Sequence, residues 1–266
     1  MDFQLALVTG ASSGIGKSLC HLLAEKGVNL IISGRKIDAL KKLEKDLQKK
    51  ISLIVHVGDL EIPKERSSLI SIIHKNAPDL IVNNAGIGLY GHCLSHKTEE
   101  QLKIVEVNVQ SLLEITLEGA RSLISKNKRG TIMNISSISS FTPFPNFSTY
   151  AASKAFVNNF SKAFDVEMKK YHIRILAACP GIVDTPFRYK SSLGTSKKTA
   201  SPMAMSAHFT AEEIWKQIQK SKTIHIFDWR YRLARFLIRI IPEKILLPML
   251  SQKMDKLHNL KNIIKL

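Results

Sequence analysis

The sequence predicts one doubly wound α/β domain: a seven-stranded parallel sheet with helices on both faces, then a lid and a helical C-terminal tail. Two observations carry this. Six short Val/Ile/Leu-rich runs, FQLALVT, VNLIIS, ISLIVHV, DLIVN, TIMNIS and IRILAAC, are too brief for helices and have turn residues beside them. Longer stretches with helical periodicity, such as Ile37 to Lys50 and Leu102 to Leu123, lie between them. Strand alternating with helix means parallel strands covered on both sides, and apolar runs without polar alternation fit that burial. Thr223 to Phe227 supplies the seventh strand.

The bulk numbers agree. The 266 residues are 44% hydrophobic and 23% charged, enough to bury a core and without any disordered or repetitive signature. Cys20, Cys93 and Cys179 are odd in number and far apart. Their spacing predicts neither a disulfide framework nor a metal site, and points to a reducing, cytoplasmic setting. The opening MDFQLALVTG lacks a signal-peptide layout, and no apolar run reaches the ~18 residues of a spanning helix. A net charge of +17 asks for an acidic partner, and about +11 of it lies beyond Thr185. No nucleic-acid recognition module is visible to account for it.

The first strand runs into Thr9-Gly10-Ala11-Ser12-Ser13-Gly14-Ile15-Gly16. Glycines there allow a sharp turn and close approach of backbone to a pyrophosphate, at which the next helix points its N-terminus. This loop, at a strand-to-helix junction in the first βα unit, makes the domain Rossmann-type and dinucleotide-binding. The second strand ends Ser33-Gly34-Arg35-Lys36, where an NAD-preferring protein would keep a carboxylate. Arg35 suits a 2′-phosphate instead, which favours NADP(H).

In Ser148-Thr149-Tyr150-Ala151-Ala152-Ser153-Lys154 a tyrosine and a lysine stand one helical turn apart, on one face. An ammonium beside a phenol favours its ionised form and lowers its pKa, which is one way to make a proton donor.

Together these segments carry a resemblance. TGASSGIG, Asn83-Asn84-Ala85-Gly86 after the fourth strand, Asn108 in VNVQS, YAASK and Pro180-Gly181-Ile182-Val183-Asp184-Thr185 resemble the short-chain dehydrogenase/reductases, over about residues 3–228 and in the family's order. The resemblance implies hydride transfer between NADP(H) and a carbonyl or alcohol. It makes Tyr150 the proton donor, with Lys154 lowering its pKa and holding the nicotinamide ribose. Ser137 is selected from Ser136, Ser137, Ser139 and Ser140 as the residue that binds the substrate oxygen. Asn108 is implied to anchor a water leading from Lys154 to solvent. Thr9, Gly10, Ser12, Ser13, Gly14, Ile15 and Gly16 would cradle the pyrophosphate, and Asp59 with Leu60 the adenine. Asn84, Ala85 and Gly86 would line the adenosine ribose, and Pro180, Gly181 and Thr185 the nicotinamide side. No metal is implied, and family members are commonly dimers or tetramers.

The domain is expected over 1–228, with a Ser/Thr/Lys-rich substrate lid at about 186–210 in which Met203 and Met205 give an adaptable lining. Phe141, Phe144 and Phe147 belong to a pocket wall, the core or an interface. Thr210-Ala211-Glu212-Glu213 has capping-box spacing for a helix running towards Lys220. The tail, 229–266, departs from the shortest family members and resembles those of a bacterial branch. In WRYRLARFLIRII one face carries Trp229, Leu233, Phe236, Leu237 and Ile240, and another carries Arg232, Arg235 and Arg239. Pro242 ends this helix, and Pro248 interrupts the segment after it. Such a helix either lies on an anionic membrane surface or packs on protein. The favoured activity is reduction of an apolar, lipid-derived carbonyl by a cytoplasmic, peripherally membrane-associated enzyme. A 3-oxoacyl-[acyl-carrier-protein] reductase and a non-enzymatic NADP sensor are the alternatives.

Overall fold

The structure, a computed structural model, describes residues 2–192 and 203–258, with side chains as far as Gln252. Strands β1 (Leu5–Thr9), β2 (Asn29–Gly34) and β3 (Leu53–Val57) alternate with helices α1 (Gly14–Glu25), α2 (Ile37–Leu47) and α3 (Pro63–Asn76). Next come β4 (Leu80–Asn83), α4 (Thr98–Val105), a π-helical turn (Glu106–Gln110) and α5 (Ser111–Ser125). β5 (Gly130–Ile135), α6 (Ser148–Met168) and β6 (Ile173–Cys179) complete the central crossover. The short strands β7 (Val183–Asp184) and β8 (Met205–Ser206) pair around α7 (Pro186–Ser191). The chain ends in α8 (Ala207–Gln219), β9 (Ile224–Ile226), α9 (Trp229–Ile240) and α10 (Glu243–His258).

The main sheet has seven strands in the order β3-β2-β1-β4-β5-β6-β9, all parallel. Strand order reverses between β1 and β4, and the crevice at such a reversal is where open α/β sheets bind ligands. Two apolar clusters fill the space on either side of the sheet. One contains Leu19, Leu23, Leu40 and Ile214, and the other Leu69, Ile73, Leu123 and Phe164. Helix α2 shows how the pattern works: Leu40, Leu43 and Leu47 fall on one face and are buried, while the lysines face water.

Polar ties fix the sheet's register. The Asp79 carboxylate accepts from the backbone N–H of Gln4 and Leu5, and Asn84 Nδ2 donates to the Thr9 carbonyl at 2.9 Å. At the far edge the nearly inaccessible Asp165 carboxylate takes Arg174 in a two-pronged pair of 2.8 and 3.0 Å. The Ile175 N–H and the Thr223 hydroxyl also donate to it, tying α6, β6 and the lead-in to β9 together.

Three expectations change. Helix α8 starts at Ala207, because the Ser206 hydroxyl caps it by accepting from Phe209 N. Thr210 therefore lies inside the helix, donating to the Ser206 carbonyl at 2.8 Å, and opens no capping box. Met205 is core, 4% exposed in β8, rather than an adaptable lid side chain. Pro248 sits within α10 instead of interrupting it. Of the expected lid, residues 193–202 lie outside the described residues.

Removing one partner of a buried pair leaves an uncompensated charge. Arg174→Met should therefore cost about 3–5 kcal/mol in denaturant unfolding. Arg174→Met with Asp165→Asn, which keeps an oxygen for the Ile175 N–H, should recover part of it, and no recovery would show that the cost does not come from an unpaired Asp165 charge.

Candidate active site

The carboxyl ends of β1 to β6 open into one cleft of about 230 Å³ at the β1/β4 reversal. Gly10 turns the chain out of β1 with φ +65°, and a Cβ there would meet Asn84 Nδ2 at 2.9 Å and Ala85 Cα at 3.0 Å. Only glycine fits a left-handed turn this close to the neighbouring strand end. Ser12, Ser13, Gly14 and Ile15 line the cleft behind it, leading into the N-terminus of α1. Thr9 and Gly16 are absent from the lining. Thr9 instead accepts from Asn84 N and Ala85 N at 3.0 Å each, so it shapes the site from below.

At the β2 end Gly34, Arg35, Lys36, Gly58, Asp59 and Leu60 line the cleft. Arg35 pairs with Asp59 at 3.1 Å, so the acid expected at the adenine also holds the guanidinium. Lys190 reaches the same cleft from α7. Burial, together with the Lys36 and Arg35 charges, lowers its pKa. Sequence reasoning missed Lys190, because nothing in the local pattern says that α7 folds back towards β2.

On the other side of the reversal stand Tyr150, Ser137 and Lys154. Helix α6 turns Tyr150, Ser153, Lys154 and Val157 inward at spacings of three and four residues. Tyr150 is 8% exposed and Lys154 4%. Burial pushes the Tyr150 phenol up, and a hydrogen bond with Ser137 pulls it back. This reverses the expected lowering by Lys154, for a geometric reason: Lys154 Nζ lies 5.7 Å from the ring centroid and donates to the Ile135 carbonyl at 2.9 Å. Burial lowers Lys154 itself to about 8.

The serines separate cleanly. Ser136 Oγ is spent on the Lys154 carbonyl at 3.1 Å. Ser137 Oγ accepts from Ser139 N at 3.2 Å and Ser139 Oγ at 3.0 Å, which leaves its one proton directed outward, towards Tyr150. Asn108 sits in the π-turn, where its Oδ1 accepts from Ile87 N and its Nδ2 donates to Ile87 O, both at 2.9 Å. Asn108 Nδ2 also donates to Ser153 Oγ at 3.0 Å, so the side chain locks three segments together. Asn84, Ala85 and Gly86 line the cleft at the end of β4, and Pro180, Gly181, Thr185 and Phe187 line it beyond β6. Phe147 stacks between Tyr90 and Tyr150, at 3.8 and 4.2 Å between centroids, whereas Phe141 lies under Arg235.

A glycine turn aimed at a helix N-terminus, a cluster of cations at the second strand and a buried Tyr–Ser–Lys group in one cleft fit a nicotinamide dinucleotide. The model of the short chain dehydrogenases matches residues 4–195. The chain belongs to the short-chain dehydrogenase family. It is therefore a nicotinamide-dependent oxidoreductase of carbonyl and CH–OH groups. An uncharacterized oxidoreductase of Myxococcus xanthus is 28% identical over 249 residues, covering 92% of this chain and 95% of its own. A 17-beta-hydroxysteroid dehydrogenase type 3 of Rattus norvegicus is 30% identical over 260 residues, covering 94% and 80%. Among solved structures, a short-chain dehydrogenase from Sphingobium yanoikuyae in complex with NADPH superposes with a TM-score of 0.80 at 22% identity. It covers 90% of this chain and 96% of its own, and shows the shared fold.

The Lys154 shift has a stability consequence in this dehydrogenase. The unfolded chain keeps that proton to a pH of about 10.4, the folded chain only to about 8. Stability therefore rises with pH inside that window and gains nothing from this group below it. Relative to Lys154→Met, the wild type should gain up to about 1.4 kcal/mol per pH unit between about pH 8 and 10, read by denaturant melts. A difference that stays constant with pH would show that Lys154 does not titrate there.

Proposed function

We propose that this enzyme is an NADP(H)-dependent reductase of an apolar, lipid-derived carbonyl, with Asn108, Ser137, Tyr150 and Lys154 as its catalytic group. The observation that carries the chemistry is Tyr150: a buried, protonated phenol, hydrogen-bonded to Ser137 and open to the cofactor cleft. Bound NADPH supplies the hydride. Ser137 donates to the carbonyl oxygen and stabilises the charge that develops on it. Tyr150 then delivers its proton to that oxygen. Lys154, held by the Ile135 carbonyl, is placed to bind ribose hydroxyls and keep positive charge near the phenolate.

Arg35, Lys36 and Lys190 support NADP(H) over NAD(H), since a 2′-phosphate meets three cations there and one carboxylate already engaged by Arg35. The Sphingobium yanoikuyae structure in complex with NADPH points the same way. An apolar substrate is supported by the rings of Tyr90, Phe147 and Phe187 around Tyr150, and by the relative named for a hydroxysteroid. For partners, the reading adds a homo-oligomer and an anionic membrane surface at the tail. Trp229, Phe236 and Ile240 of α9 are each more than 60% exposed beside Arg232 and Arg239, which suits an interfacial helix. Among the described residues no helix is long and apolar enough to cross a membrane.

NADPH oxidation against aldehydes, ketones and 3-oxoacyl thioesters, with and without phosphatidylglycerol vesicles, tests this reading. Tyr150→Phe should lower kcat by about 10²-fold or more. Arg35→Leu should narrow the preference for NADPH over NADH by about tenfold. Unchanged turnover in Tyr150→Phe would overturn the mechanism, and carrier-dependent turnover of thioesters would replace the substrate class.

A further inference from the structure

A second cavity, of about 360 Å³, lies between the tail and the loop that carries Ser137. This is within the range of about 300–1,000 Å³ typical of small-molecule sites. Its inner wall is apolar: Ile138 and Phe141 from the turn directly after Ser137, Ile238 from α9 and Leu246 from α10. Leu246, 5% exposed, forms the buried end of this wall.

The mouth is cationic. Arg235 and Arg239, one turn apart on α9, both line it, and among the described residues Glu243 is the single carboxylate on the lining. Neither guanidinium is ion-paired among the described residues. The Arg235 guanidinium carbon lies 4.0 Å from the centroid of the Phe141 ring, which orients its plane while leaving edge N–H groups to donate. An apolar wall leading to two guanidiniums with no ion pair among the described residues defines a ligand chemistry: alkyl chain inside, anion at the rim.

We propose that this cavity binds a single-chain amphiphile with an anionic head, a fatty-acid carboxylate being the simplest. The chain packs on Ile138, Phe141, Ile238 and Leu246, and the carboxylate sits between Arg235 and Arg239. The site is separate from the cofactor cleft and does not depend on the hydride-transfer reading. Its occupant bridges the tail and the Ser137 loop, because the cavity walls come from both. Binding there stabilises the folded chain by mass action.

The test is calorimetric titration of the full-length protein with monomeric decanoate, with decanol as the uncharged control and phosphatidylglycerol vesicles as a separate arm. Decanoate should bind at least about tenfold more tightly than decanol, because only its head forms charge-assisted hydrogen bonds. It should also raise the melting temperature. Arg235→Met with Arg239→Met should bring decanoate to the level of decanol. Leu246→Trp should remove binding by filling the cavity, and Thr142→Trp, at the partly buried rim, does the same should Leu246→Trp fold poorly. Binding of neither ligand overturns the proposal, and binding confined to phosphatidylglycerol vesicles does so as well, in favour of a bilayer lipid. So does decanol binding as tightly as decanoate, or decanoate binding unchanged in the double arginine variant. NADPH binding, measured on the same samples, reports the cofactor reading independently.

Discussion

The active site hangs on the Asn108 side chain. A continuous α-helix from Thr98 to Ser125 would carry every side chain at regular spacing, but five residues from Glu106 to Gln110 form a π-turn. Such turns occur mostly as single insertions at functional sites, since one widened turn redirects a side chain without ending the helix. Asn108, wholly buried, uses that displacement to satisfy both backbone groups of Ile87 and to reach Ser153. Ile87 comes directly after the glycine that lines the cleft, and Ser153 precedes Lys154 on α6. One amide thus sets the distance between the β4 end and the catalytic helix. A buried amide left half-paired would cost about 1–3 kcal/mol, so the lock is strong only as a complete set.

That lock explains why two hard-to-bury groups stand side by side. Tyr150 and Lys154 both lose water, and burial moves each towards its neutral form: the phenol up, the ammonium down. A phenol that keeps its proton is suited to donate one, and it needs help only as the proton leaves. In the proposed mechanism Ser137 gives part of that help, since its hydroxyl is turned outward by two donors from Ser139. The expectation of a tyrosine already acidified by its lysine neglected desolvation, which dominates here because Lys154 Nζ is held back at the Ile135 carbonyl.

Legibility in the sequence is a matter of range. All seven main strands and the Gly-rich turn were legible because short apolar runs and glycine positions are local signals. Tyr150 and Lys154 were legible because they are one turn apart on one helix. Ser137 was singled out by resemblance, and its distinction from Ser136 is three-dimensional: Ser136 is consumed by the Lys154 carbonyl. Phe187 and Lys190 fell within the expected lid, but that they turn into the cleft is set by a fold-back no local pattern encodes, and Tyr90, which stacks on Phe147 beside Tyr150, carried no signal at all. The start of α8 was misplaced because Thr210-Ala211-Glu212-Glu213 imitates a capping box, while the true cap, Ser206, is fixed by β8 pairing with β7.

The tail shows how far an amphipathic pattern reaches. Its apolar and arginine stripes were both visible in the sequence, but which face meets the domain was not. The answer lies in Tyr231, a residue outside both stripes. Its hydroxyl accepts from Ile182 N and donates to the Met203 carbonyl, both at 2.9 Å. Its ring fills the space beside Gly181, where a Cβ would come within 2.1 Å of Cζ. Glycine is thus required at Gly181 to admit the ring, and the ring in turn holds the segment 180–185 that borders the cleft. With Tyr231 turned inward, helical geometry leaves Trp229, Leu233, Phe236, Leu237 and Ile240 on the outer face, where each is more than 45% exposed. The exposed stripe is therefore a consequence of how the tail braces the cofactor site, and α9 is as much a part of that site's frame as of the surface.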